Sequence, residues 1–204
     1  YGNSSDIDDR NTNVGGIKSS GFDFNARYSM DTEMGELRTN LDATFYDTYD
    51  KTLATGEIVS HAGKFIRNGG DGNFPEWKTN LTVGLFNDDW TASYTLRYID
   101  SVEEQFDNVD VDEVATVFSD YRVEAVLTEA GAIDSYDVIR DIASQVIHDV
   151  RFTYFYDNYS VSLGVDNIFD TDPPYADTGF NDNTDPRTYN TTGRHWNMTL
   201  SASF

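Results

Sequence analysis

The sequence predicts an all-β chain of antiparallel strands in up-and-down order, each with one apolar and one polar face. Three observations carry that prediction. Apolar residues recur at every second position, most cleanly at the carboxyl end: Trp196, Met198, Leu200, Ala202 and Phe204 interleave with Asn197, Thr199, Ser201 and Ser203. Period two sends successive side chains to opposite faces of a strand. Aromatic residues make up 14% of the chain, with 13 Tyr and 13 Phe among many Thr, Ser, Asn and Asp. Such a composition suits two-faced strands joined by polar loops rather than a helical bundle. Finally, the connections between the alternating runs are short and long by turns.

Taken in order, residues 1–16 have no apolar period and read as a loop. The first strand is expected near 17–30, with Phe22, Phe24, Ala26 and Tyr28 opposite Asp23, Asn25 and Arg27. A turn at Asp31 to Gly35 leads to the second, near 36–49. There Leu37, Thr39, Leu41, Ala43 and Phe45 face away from Arg38, Asn40, Asp42 and Thr44. A long connection over 50–74 ends in a glycine-rich patch. Strands near 75–86 and 90–99 flank the tight turn Asn87-Asp88-Asp89. Residues 101–144, another long connection, hold twelve carboxylates against two arginines, and Val109–Phe118 and Ile133–Ile142 are expected as short helices. Strands near 145–156 and 159–167 are joined at Asp157-Asn158. A third long connection, to about Thr188, precedes a last strand near 189–204.

In a meander, this alternation places every tight turn on one side and every long loop on the other. Strands of roughly 10 to 14 residues with an apolar outer band and a polar inner face describe the wall of an outer-membrane barrel, each face matching its solvent. Soluble sandwiches also alternate, but their strands are shorter. The aromatics fall in two groups. Trp90, Tyr154, Tyr156, Tyr159 and Phe204 lie beside the short turns, and Trp77, Tyr98, Tyr46 and Tyr49 near the long loops. They are expected as two interfacial belts. The polar inward positions Arg27, Arg38, Asn40, Asp42, Arg97, Arg151 and Asp166 are the candidates for facing a lumen.

Other classes are disfavoured. The net charge of −22 argues against nucleic-acid binding. The absence of cysteine excludes disulfides and cysteine-based metal or redox chemistry. No run approaches the roughly 18 apolar residues of a spanning helix. Disordered acidic chains are poor in aromatics, unlike this one. Single-chain bacterial barrels normally have an even strand number, and an open seven-strand sheet leaves two unpaired edges in lipid. The expectation is therefore the tail of a larger barrel, in a chain whose first residue is Tyr1 rather than Met.

Residues Gly164 to Tyr175 (GVDNIFDTDPPY), then Asn183 to Trp196 (NTDPRTYNTTGRHW) and a final strand ending in Phe, resemble the carboxyl end of TonB-dependent outer-membrane receptors. The elements carrying the resemblance are Asn167, Phe169 and Asp170, the Pro173-Pro174 pair, and Gly193-Arg194 entering the last strand. The segment from Phe74-Pro-Glu-Trp to Arg97-Tyr98 is similar to the preceding hairpin of that family. The resemblance implies about seven strands of a 22-stranded barrel in the bacterial outer membrane, with the family's plug and TonB box lying elsewhere. It implies lipid and lipopolysaccharide, the rest of the barrel, the plug, the TonB complex and the barrel-assembly machinery as partners. The pattern Trp196, Met198, Leu200, Ala202, Phe204 resembles the signal read by that machinery. The implied function is uptake of a scarce nutrient (siderophore, vitamin or glycan), with no bond chemistry in this segment.

The residues also have plain physical readings. Asn167 and Asp170 suit turn capping, Pro173-Pro174 a stiffened loop, and Gly193 a close approach. The histidines His61, His148 and His195 follow no ligand spacing. No nucleophile elbow, phosphate loop or zinc motif occurs. Asp6 to Asp9, Asp71 to Asn73 and Asp182 with Asp185 offer oxygen ligands for Ca²⁺ but lack the spacing of a known calcium loop. No cofactor is otherwise expected. Two further classes fit the alternation: a small stand-alone outer-membrane barrel for adhesion or support, and a soluble acidic carbohydrate-binding β-sandwich.

Overall fold

A computed structural model describes residues 15–66, 72–106, 121–128, 130–176 and 183–203. The chain is all-β, with no helix among the described residues. The described residues hold thirteen strands in order: β1 (Ile17–Thr32), β2 (Gly35–Thr52), β3 (Ile58–Ser60), β4 (Lys64–Ile66), β5 (Gly72–Phe74), β6 (Trp77–Phe86), β7 (Trp90–Ile99), β8 (Val102–Phe106), β9 (Tyr121–Leu127), β10 (Ile133–Ile142), β11 (Gln145–Tyr156), β12 (Tyr159–Asp166) and β13 (His195–Ala202).

Seven of them form one antiparallel wall in the order β1-β2-β6-β7-β11-β12-β13, with β3 paired onto β2. The wall is open, and β1 and β13 are its two edges. The hairpin turns all fall at one end. At the β6–β7 turn, Asn87 Oδ1 accepts the N–H groups of Asp89 (3.0 Å) and Trp90 (2.8 Å). At the β11–β12 turn, Asp157 takes a left-handed φ of 52°, which Asp tolerates better than most residues.

Directly opposed residues of an antiparallel ladder share a face, so the register tests the alternation. One row crosses all seven strands: Tyr28, Thr39, Val83, Tyr94, Val150, Val165, Trp196. The next apolar row is Met30, Leu37, Leu85, Ala92, Phe152, Leu163, Met198. Between them runs a polar row: Ser29, Arg38, Gly84, Ser93, Arg151, Gly164, Asn197. Few of the apolar side chains are covered by protein. Phe22 is 73% exposed, Trp196 71% and Leu200 66%. Removing such a face from water yields about 25 cal/mol per Å², and lipid is the medium that can remove it.

The aromatic groups follow the two ends of the wall. Phe22, Phe45 and Trp77 stack in sequence at the loop end, with ring centroids 6.5 and 4.7 Å apart. Trp90 stacks on Phe152 at 6.0 Å toward the turn end. Tyr49 departs from the expected belt. The register shift at Ser20/Gly21 changes its facing, and it stacks on Phe74 at 4.5 Å with His61 edge-on at 5.8 Å.

The long connections are structured, which corrects the sequence reading in three places. The 50–74 connection carries β3, β4 and β5, and the 101–144 connection carries β8, β9 and β10. A second sheet runs β5-β4-β8-β10-β9, with β4 and β8 parallel. Ile133–Ile142 is therefore a strand, not a helix. Val138 and Ile142 are both buried, and a spacing of four satisfies either period. Val109–Phe118 lies outside the described residues. Finally, residues 189–194 are not strand. Their backbone groups are taken by side chains instead of a ladder: Asn190 by Gln145, Thr192 O by Asn167, and Arg194 N by Asp170.

The buried hydrophobic cluster sits in these loops, not in the wall. Phe65, Val102, Ile142, Ala176 and Tyr189 pack together with Ile99 against them. Each long connection contributes to it, so the loops fold as one body at one end of the wall.

Candidate functional site: the polar face and the loop assembly above it

Arg27, Arg38, Asn40, Asp42, Arg97, Arg151 and Asp166 all lie on the polar face, as their register partners fix. They form two clusters rather than one. On β1–β2, Arg27 Nε donates to Asn40 Oδ1 at 3.1 Å, and Asp42 accepts from the amides of Asn25 and Asn40. Arg38 pairs with Glu36 at 2.6 Å and lies over the Phe86 ring at 4.6 Å. On β7–β11–β12, Arg97 grips Asp149 with two bonds, Nε to Oδ2 at 2.9 Å and Nη2 to Oδ1 at 3.1 Å. Asp166 accepts from Asn197 Nδ2 at 3.2 Å, with His195 Nδ1 3.8 Å away. Arg151 lies beside Asp149 and Asp166 around a small cavity of about 150 Å³.

Asp149 links this face to the loops. Its Oδ1 also accepts the backbone N–H of Asn167 at 2.9 Å. Asn167 is 1% exposed and satisfies its side chain entirely on backbone. Its Nδ2 donates to Thr171 O (2.9 Å) and Thr192 O (3.3 Å), and its Oδ1 accepts from Thr171 N (2.8 Å). Both Asn167 and Asp170 have left-handed φ, 52° and 58°. That conformation favours Asn and Asp among residues with a side chain. Asp170 Oδ1 then accepts Arg194 N at 2.7 Å, and a Cβ on Gly193 would lie 3.0 Å from the same oxygen. The capping and close-approach readings of Asn167, Asp170 and Gly193 therefore describe one knot that seats the last loop on the wall. Phe169 packs edge-on against His148 at 4.8 Å, and Tyr94 and His148 share a 2.6 Å hydrogen bond on the apolar face.

A second tie holds the loops together. Glu104 on β8 and Arg140 on β10 are directly opposed, almost fully buried, and 3.4 Å apart. Arg140 Nη1 also donates to Tyr175 O at 3.3 Å and stacks on the Tyr175 ring at 5.1 Å, just after Pro173-Pro174. Gln145 clamps Asn190 by donating to its carbonyl and accepting from its N–H, each at 2.9 Å. Burial pushes the Tyr189 hydroxyl up to about 12, the Asn73 side chain beside it acting in the opposite sense. That hydroxyl meets no hydrogen-bond partner of good geometry.

Asp185, named above for Ca²⁺, uses its carboxylate to hold Arg187 N and Nε and the Thr188 hydroxyl at 2.9 to 3.2 Å. Asp182, Asp71 and Asp6 to Asp9 lie outside the described residues, as does Phe204. No group of three or more potential ligand side chains occurs among the described residues.

Sequence reasoning missed Asp149, Gln145, Glu104 and Arg140. Asp149 follows the alternation, so its facing was legible, but its partner comes from another strand. Gln145 and Glu104 carried no signal beyond being polar at the edge of a connection.

The fold and these faces define a two-sided membrane wall crowned by a folded loop body. The family model for the TonB-dependent receptor-like β-barrel matches residues 1–168, and the chain belongs to that family. Its members are receptors of the Gram-negative outer membrane that work in transport with a plug and TonB. Nothing among curated proteins or solved structures matches this chain.

Proposed function

We propose that this chain serves in the bacterial outer membrane as wall and loops of a receptor that takes up a scarce nutrient (siderophore, vitamin or glycan) with energy supplied through TonB. The observation that carries the reading is the pair of unbroken rows across seven strands, apolar on one face and polar on the other. Lipid takes the first face, and the lumen with its plug takes the second. The loop body at one end supplies the recognition surface, and the wall itself performs no bond chemistry. Lipopolysaccharide and the barrel-assembly machinery are the further partners of this reading, the latter through Trp196, Met198, Leu200, Ala202 and Phe204. Divalent cations such as Ca²⁺ at the acidic loops belong to the same reading.

The test is nutrient depletion from a defined medium by cells with and without the gene, with and without a protonophore. The reading expects at least one small molecule whose depletion requires both the gene and an energised inner membrane. Gene-dependent depletion insensitive to the protonophore contradicts energy coupling, and no gene-dependent depletion contradicts transport.

A further inference from the structure

The loop over 183–190 does not stand away from the wall. Gln145 clamps Asn190, and Tyr189 packs beside Ile99, so this loop folds across the polar face of β6, β7 and β11. Between loop and wall lies a cavity of about 410 Å³, within the few-hundred-Å³ range of small-molecule sites. Its polar lining includes Lys78, Asn80, Arg97 and Gln145 on the wall and Thr188 and Asn190 on the loop, with Tyr189 closing one side.

The charge of this cavity runs against that of the chain. The protein has 36 Asp and Glu against 14 Lys and Arg, yet among the described residues the lining holds two cations and no carboxylate. Lys78 forms no ion pair among the described residues. Arg97 is bonded to Asp149 through Nε and Nη2, which leaves its Nη1 outside that pair. Asp100, Asp42 and Asp185 lie nearby, and none of the three lines the cavity. Asp100 accepts from the Tyr98 hydroxyl and Ser101 N, Asp42 from Asn25 and Asn40, and Asp185 from Arg187 and Thr188. Because Asn80 opposes Arg97 while Lys78 opposes Ile99, the two cations are diagonal cross-strand neighbours, whose backbones stand about 7–8 Å apart.

We propose that this cavity binds a small anionic molecule, its carboxylate or phosphate oxygens meeting Lys78 and Arg97 and its remaining polar atoms meeting Asn80, Thr188 and Asn190. A compact ammonium and a guanidinium on long side chains from neighbouring strands, each with N–H groups to spare, can converge on the oxygens of one small anion. Enclosure between wall and loop strengthens the attraction over that in open water. The inference names the substrate class of the receptor reading and rests on it for biological meaning, but binding is measured apart from transport.

The test is calorimetric titration of the protein, purified from outer membranes in detergent, with succinate, inorganic phosphate and neutral erythritol. At least one of the two anions binds, erythritol does not, and Lys78→Gln weakens the anion by about tenfold or more. The stronger arm tells whether carboxylate or phosphate is preferred. Affinity for the anion falls as sodium chloride is raised, which decides the matter should Lys78→Gln fail to fold. No binding of either anion at millimolar concentration, equal binding of erythritol, an unchanged Lys78→Gln titration, or salt-independent affinity each overturns the proposal. Uptake that survives while anion binding is absent sinks this inference alone, whereas binding without energised uptake sinks the transport reading alone.

Discussion

Arg97 and Asp149 meet across β7 and β11 in a two-bond ion pair, at 2.9 and 3.1 Å, whose carboxylate also holds the backbone N–H of Asn167. The polar face and the loop knot are thus joined at a single side chain. The pair is partly exposed, at 39% for Arg97 and 18% for Asp149, so its worth is discounted for screening. Asp149→Ala is expected to cost about 1–3 kcal/mol, because it also strands the Asn167 N–H. Heat-modifiable electrophoretic mobility in detergent gives the shift in unfolding temperature, and an unchanged midpoint contradicts the linkage.

Asn167→Ala removes three side-chain bonds from a buried position and loses a residue suited to a φ of 52°. A cost of about 2–4 kcal/mol follows. Asn167→Gly keeps the backbone conformation but not the bonds, so it should be the milder of the two. The ordering of the two variants, read by protease cleavage near residues 183–194, is the check.

How much of this was legible in the sequence depends on which partner a residue needs. The wall was readable because each strand announces its own faces: Tyr94 and Val150 are apolar, and Ser93 and Arg151 polar, whatever lies beside them. The loop sheet was not. Val138 and Ile142 sit four apart, a spacing that serves a helix as well as a strand, and β8 is a strand because β4 and β10 flank it. Residues 189–194 failed for the converse reason. The last strand was expected from 189, but Gln145, Asn167 and Asp170 satisfy the backbone that a ladder would have used. The Asn167-to-Asp170 motif was recognisable, while its anchoring on Asp149 needed the structure.

Glu104 is buried against Arg140, and removing one member of such a pair leaves a charge in a medium that solvates it poorly. Arg140→Met is expected to destabilise the loop body by about 3–5 kcal/mol. Since the pair lies outside the wall, faster proteolysis of the β8–β10 sheet with unchanged barrel melting is the expected result. Parallel loss of both contradicts a separately folded loop body.

Tyr189 gives the loop body an alkaline limit. Its folded-state value of about 12 lies above the ordinary phenol value near 10, because burial disfavours the phenolate. The unfolded loop therefore loses its proton first. The stabilising contribution is complete below about pH 10 and disappears as pH rises toward 12. Tyr189→Phe should flatten loop protection against protease over that window, and a step that persists in the variant assigns it elsewhere.

The central claim is that adjacent residues of one strand meet lipid and water in turn, and the absence of cysteine from these 204 residues makes it directly testable. Val150→Cys and Arg151→Cys, introduced singly into the protein in outer-membrane vesicles, are to be probed with a water-soluble maleimide and with quenching of an attached fluorophore by brominated lipid. The account predicts lipid quenching at 150 with little maleimide reaction, and the reverse at 151. Equal maleimide labelling at both positions, with no lipid quenching at either, would contradict the membrane wall.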